Sequence, residues 1–126
     1  MKHSIMIVDD SRVIHSQVKK MLEGSEFEVV CCCRSGEEAL ERYEEVKPDI
    51  VTMDIVMPGM DGLEACKMMM ERWPEANIYM VSSLAYDDTI DQAVEAGAKG
   101  FLFKPFSQDT LLEGLRGAVK YMESKA

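Results

Sequence analysis

The chain has 126 residues, 47% hydrophobic and 29% charged, which suits one folded domain with a filled core and excludes both a disordered chain and two domains. With 14 Lys and Arg against 23 Asp and Glu, the formal charge of −9 repels nucleic-acid phosphates and anionic lipid, so neither is expected as a direct partner. No apolar run approaches the ~20 residues of a membrane span, and the opening MKHSIMIVDD meets charge too early for a secretory signal, so a cytoplasmic protein is expected.

The first apolar run, Ile5-Met6-Ile7-Val8, leads straight into Asp9 and Asp10. A helical stripe of Val13, Val18, Met21 and Leu22 follows, then a second strand over Phe27–Cys31. Ser35-Gly-Glu-Glu38 reads as a cap with acids in the first turn, opening a helix whose stripe is Ala39, Leu40, Tyr43 and Val46, and Pro48 stops it. The third strand, Ile50-Val51-Thr52-Met53, ends on Asp54. Asp61-Gly-Leu-Glu64 caps a helix with Leu63, Cys66, Met69 and Met70 inward, and Pro74 ends it. Ile78–Val81 form the fourth strand, followed by Ser82 and Ser83. Gly97 closes the fourth helix, Phe101–Phe103 form the fifth strand before Lys104, and Ser107 opens the last helix.

Cys31, Cys32 and Cys33 are consecutive and Cys66 stands alone, so the spacing of zinc ligands is absent and buried thiols in a reducing compartment are expected. Met68, Met69 and Met70 read as helix packing, and His3 and His15 as surface residues.

Short strands that are nearly all apolar, alternating with helices, specify a parallel sheet covered on both faces. All its carboxyl ends then lie on one edge, where such sheets bind ligands. That edge collects Asp9, Asp10, Asp54, Ser82 and Lys104, while Cys32-Cys33-Arg34 places the second strand outside the cluster. An aspartate closing a strand is by itself an ordinary turn residue. Beside two further carboxylates, however, Asp54 needs a cation in order to ionise. Lys104 supplies one charge, and a hard divalent ion, Mg²⁺ or in its place Mn²⁺, suits the remaining oxygen donors. Asp54 then has the surroundings of a nucleophile towards phosphorus, with Asp10 on the metal, Asp9 supporting it, Lys104 pairing the phosphoryl group and Ser82 hydrogen-bonded to it.

The stretches IVDDS, DIVTMDIVMPGMDG, MVSS and FLFKPF, in that order and spanning essentially the whole chain, resemble the bacterial two-component response-regulator receiver domain. The resemblance implies a single flavodoxin-like (βα)5 domain over residues 1–126, with a five-stranded parallel sheet in the order 2-1-3-4-5. It implies that Asp54 accepts a phosphoryl group from the phosphohistidine of a sensor histidine kinase or a histidine phosphotransfer protein. Asp10, Asp54 and the backbone carbonyl of Val56 would hold Mg²⁺, with Asp9 completing the acidic pocket. Ser82 matches the switch hydroxyl, Phe101 the switch aromatic and Lys104 the lysine before a cis Lys104-Pro105 bond. An output protein would read the face of the fourth helix, fifth strand and fifth helix of a monomer. Such a chain is a signalling switch rather than an enzyme with an external substrate.

Since the sequence stops soon after its last helix, a stand-alone receiver of the chemotaxis type is expected, with a phosphorelay intermediate or a receiver clipped from a longer transcriptional regulator as alternatives. Val56 and Leu84 occupy the two positions where relatives carry polar side chains that orient the hydrolytic water. Neither can do so here, which implies a long-lived phosphoryl group. Phe101 also lacks the hydroxyl of a tyrosine. A phosphatase of the haloacid dehalogenase type would need a second aspartate at position 56, and a flavin carrier would need a phosphate loop where Asp9 and Asp10 stand.

Overall fold

Strands and helices alternate throughout: β1 (His3–Val8), α1 (Arg12–Leu22), β2 (Phe27–Cys33), α2 (Gly36–Val46), β3 (Ile50–Asp54), α3 (Gly62–Arg72), β4 (Ile78–Ser82), α4 (Asp87–Glu95), β5 (Gly100–Phe103) and α5 (Gln108–Lys125). The computed structural model describes residues 2–83 and 87–125. The strands form one parallel sheet in the order β2-β1-β3-β4-β5, the flavodoxin-like order that the motifs imply. The chain winds outward from β1 to β2, returns past β1 to β3, and continues the other way. The crevice of that reversal opens at the carboxyl ends of β1 and β3.

Side chains alternate strictly along β1, and the two faces of the sheet bury different chemistry. Met6, Val8, Met53 and Met80 pack against Ala39 and Leu40 of α2, Ala65, Cys66 and Met69 of α3, and Ala93 of α4. Ile5, Ile7, Ile50 and Leu102 pack against Val18 and Leu22 of α1 and Leu111, Leu115 and Ala118 of α5. The methionine run of α3 is helix packing, with Met69 buried and Met68 and Met70 against the core. All four cysteines are free thiols. Among the described residues, no helix is long and apolar enough to cross a membrane.

The caps lie where the sequence puts them. Ser35 Oγ accepts the Glu38 N–H (3.1 Å) while Glu38 Oε1 accepts the Arg34 N–H (2.8 Å), Asp61 Oδ1 accepts the Glu64 N–H (2.9 Å), and Ser107 Oγ accepts the Thr110 N–H (3.1 Å). Lys47 closes α2 in the left-handed conformation at φ 48°, just before Pro48.

Three expectations change. First, β2 is a half-exposed edge strand rather than one buried on both faces, and it runs on to Cys33. Its register with β1 slips between Ile5 and Met6, so that Val30 has no partner. Phe27 and Val29 therefore face α1 and α5, while Cys31 and Cys33 face the opposite layer. Second, Ser11 caps α1 in a phase that buries His15, Val18 and Leu22 and leaves Val13 exposed, so His15 is not a surface residue. Its Nε2 is enclosed without a hydrogen-bond partner among the described residues. Third, His3 is half-buried, its ring 5.9 Å from that of Phe27 and its Nδ1 3.8 Å from Asp49 Oδ2.

At the amino edge of the sheet, Ser4 and Asp49 form a reciprocal clamp. The Ser4 N–H donates to Asp49 Oδ2 and the Asp49 N–H donates to Ser4 Oγ, both at 2.9 Å, tying the start of β1 to the turn that leads into β3. Ser4→Ala removes one of the two bonds and leaves a partly buried N–H unpaired. A loss of about 1–2 kcal/mol is expected in urea unfolding, as a lower midpoint at unchanged slope.

Candidate functional site

Three backbone bonds prolong the sheet past its strands at the carboxyl edge. The Asp9 N–H donates to the Cys33 carbonyl (3.0 Å), the Ile55 N–H to that of Val81 (3.1 Å) and the Lys104 N–H to that of Ser82 (2.9 Å). The polar groups are thus fixed by the ladder rather than by mobile loops.

Asp54 ends β3 and is buried, Asp9 is buried beside it, and Asp10 is the most open of the three. Their carboxylate oxygens lie within 4.8 Å of one another. Lys104 reaches over from the end of β5, with Nζ 2.7 Å from Asp9 Oδ2 and 3.4 Å from Asp54 Oδ2. Three carboxylates against one ammonium leave two negative charges unbalanced. Oxygen donors at this spacing fit a hard divalent cation, and no thiol or imidazole belongs to the cluster.

The titration of these groups reflects the same crowding. Burial raises the pKa of Asp54 above its ordinary value; Lys104 opposes this, and the charges of Asp9 and Asp10 add to it. Burial works against the Lys104 ammonium, but its hydrogen bond to Asp9 and the charge of Asp54 outweigh this and raise its pKa. The isolated pocket therefore resists ionisation of Asp54, whereas a bound divalent ion would favour it.

The other residues singled out in the sequence are distributed as follows. Ser82 ends β4, almost wholly buried. Val56 turns its side chain to solvent, 59% exposed. Leu84 lies outside the described residues. The Lys104-Pro105 bond is cis. Phe101 is partly buried against the methionine-lined face, its ring 5.0 Å from that of the exposed Phe103 on the same side of β5.

Two supporting residues escape a reading by residue type. Ser11 donates its N–H to Asp9 Oδ1 (2.9 Å) and its hydroxyl caps α1, so one residue orients a pocket carboxylate and starts the adjoining helix. Gly62 begins α3 against the backbone of Asp54 itself. A Cβ there would overlap the Asp54 carbonyl and sit 2.8 Å from Ile55 Cα, while the Gly62 N–H bonds the Ile55 carbonyl at 2.8 Å. The signal was the glycine directly after the cap Asp61, a position where a side chain is ordinarily tolerated. Beneath the carboxylates a cavity of about 10 Å³, lined by Asp9, Thr52, Asp54, Val81 and Phe106, has room for roughly one water.

A family model described as the response regulator receiver domain matches residues 5–116. The chemotaxis protein CheY of Listeria monocytogenes is 44% identical over 116 residues, which cover 92% of this chain and 98% of that protein. CheY of Bacillus subtilis is 42% identical over 115 residues, 91% of this chain and 96% of that protein. Among solved structures, the CheX-CheY-BeF3-Mg²⁺ complex from Borrelia burgdorferi superposes with a TM-score of 0.88 at 30% identity, covering 93% of this chain and 89% of that one.

Two outcomes follow from the site geometry. Because the folded-state pKa of Asp54 is raised, its charge destabilises the metal-free fold above the ordinary carboxylate range and most fully at neutral pH, and acidification removes the penalty. Asp54→Asn is therefore expected to raise the thermal midpoint at pH 7, with a gain that vanishes as the pH falls below the carboxylate range. Gly62→Ala should cost roughly 1–3 kcal/mol in chemical unfolding by forcing the β3–α3 connection off the Asp54 backbone. Gly117→Ala, whose Cβ meets nothing within 4 Å, should be neutral or stabilising.

Proposed function

As a member of the response regulator receiver domain family, the chain acts, we propose, as the phosphoacceptor of a two-component system, taking the phosphoryl group on Asp54. The observation that carries this reading is the buried carboxylate of Asp54, held within reach of both a carboxylate pair and the Lys104 ammonium. An Asp54 oxygen attacks the phosphorus of a phosphohistidine, the P–N bond breaks, and the imidazole leaves with a proton while an acyl phosphate forms. Lys104 neutralises one phosphoryl oxygen and Ser82 hydrogen-bonds another, while the Ser11 N–H keeps Asp9 oriented. Asp10, Asp54 and the backbone carbonyl of Val56 would hold Mg²⁺, supported by Asp9, and the ion when bound supplies neutralising charge to the equatorial oxygens.

The donor is a histidine kinase or a histidine phosphotransfer protein, and the chain turns over no external substrate. Ser82 shifts towards the phosphoryl group and Phe101 moves inward, which changes the surface of α4, β5 and α5 that an output protein reads. The likeness to CheY over nearly the full length of both chains favours chemotaxis-type signalling in the cytoplasm.

Incubation with Mg²⁺ and acetyl phosphate should give a phosphoryl adduct by intact mass, absent in Asp54→Ala and with excess chelator. An adduct that survives Asp54→Ala would overturn the assignment. With Val56 offering water no polar group, loss of the phosphoryl group should be slow. Val56→Asn should accelerate it, and an unchanged decay rate in that variant would sink the account of its lifetime.

A further inference from the structure

At the opposite pole of the sheet, α2 and α3 end side by side, at Lys47 and Trp73, and their last carbonyls carry the negative ends of both helix dipoles. Between them opens a pocket of about 360 Å³, within the range of small-molecule sites. Tyr43, Glu44, Asp49, Trp73, Glu75 and Met122 line it. The Tyr43 and Trp73 rings meet at 4.7 Å between centroids and form an aromatic wall.

The charge of the rim is one-sided. Glu44 and Glu75 form no ion pair among the described residues, and Asp49 is shared with Ser4 and His3. The one cation lining the pocket, Lys47, is exposed, against the three carboxylates of Glu44, Asp49 and Glu75. The indole of Trp73 has the Arg72 guanidinium 5.9 Å from its centroid, so one cation already lies near this aromatic wall.

A second observation points to a ligand. Tyr43 is only 6% exposed, yet among the described residues nothing hydrogen-bonds its hydroxyl, and the hydroxyl is not one of the enclosed unpaired atoms. Tyr43 is one of the side chains that line the pocket. Burial, and then the charge of Glu75, raise its pKa, so it stays a neutral phenol whose oxygen can accept an N–H.

We propose that this pocket binds a small organic cation, an alkylammonium or polyamine. Its ammonium groups would be taken by the Tyr43 oxygen and the Glu44 and Glu75 carboxylates, and its aliphatic body would lie along Tyr43, Trp73 and Met122. The same carboxylates exclude acidic ligands, and the site is separate from the Asp9, Asp10 and Asp54 cluster at the other edge.

Trp73 is the only tryptophan in the chain, so its emission reports occupancy of the pocket. The test is a titration with spermidine at constant ionic strength, followed by emission and by calorimetry on the same samples, with NaCl as the matched control. A saturable response is expected. It should weaken by roughly tenfold in the Glu44→Gln/Glu75→Gln double variant and by about three- to tenfold in Tyr43→Phe, which keeps the ring packing. Asp10→Asn should leave it unchanged. The proposal is overturned by a response no different from NaCl, by undiminished binding in the double variant, or by loss in Asp10→Asn, which would put the amine in the carboxylate cluster instead.

Discussion

The ammonium of Lys104, bonded to Asp9 and facing Asp54, is the interaction on which the carboxyl edge depends. Like charges held this close repel, and burial at Asp9 and Asp54 removes the water that would screen them. One cation offsets part of that repulsion and leaves an electrostatic deficit suited to a divalent ion. The positions involved belong to β1, β3 and β5, which the sheet order brings to one edge although Asp9 and Lys104 are 95 residues apart in sequence. Three ladder bonds reaching past the strand ends then hold the backbone rigid enough for the charges to be placed within ångströms.

The two faces of the sheet serve this edge differently. The face under α1 and α5 is filled by Ile, Val and Leu, whose branched side chains have few rotamers. The face under α2, α3 and α4 is filled mostly by Met, Ala and Cys. Methionine fills irregular space and repacks at low cost, so this layer accommodates small displacements more readily than the other. Phe101 packs against that same layer, which places this aromatic on the adaptable side of the molecule.

Much of this was legible in the sequence because short apolar runs and capping residues act locally. Ser35, Asp61 and Ser107 each cap the helix they precede, and every strand contains the apolar run that marked it. What was not legible depends on contacts between distant residues. The bulge at Val30 comes from the pairing of β1 with β2, and no pattern within β2 marks it. The burial of His15 follows from the phase of α1 against its neighbours; of the stripe Val13, Val18, Met21 and Leu22, all but Val13 face the core, and His15 lies inward where Val13 does not. The site's residue types were readable because charge at the end of an apolar strand is conspicuous. Gly62 was not, because its constraint is the nearness of the Asp54 backbone and a glycine carries no side chain to advertise it.

Charge also orders the events at the edge. The whole chain is formally −9 and part of that excess is concentrated in the pocket, so any anionic ligand meets repulsion at long range and at contact. Lys104 cannot offset both, since its shortest contact is already to Asp9. On the proposed function, a bound cation would neutralise the cluster before an anionic donor approaches it. A protein donor would then draw its affinity from surface contacts outside the carboxylate cluster, while the cluster would supply the chemistry. Recognition and reactivity are thereby separated, and the buried part of the site can stay the same while the surface around it differs.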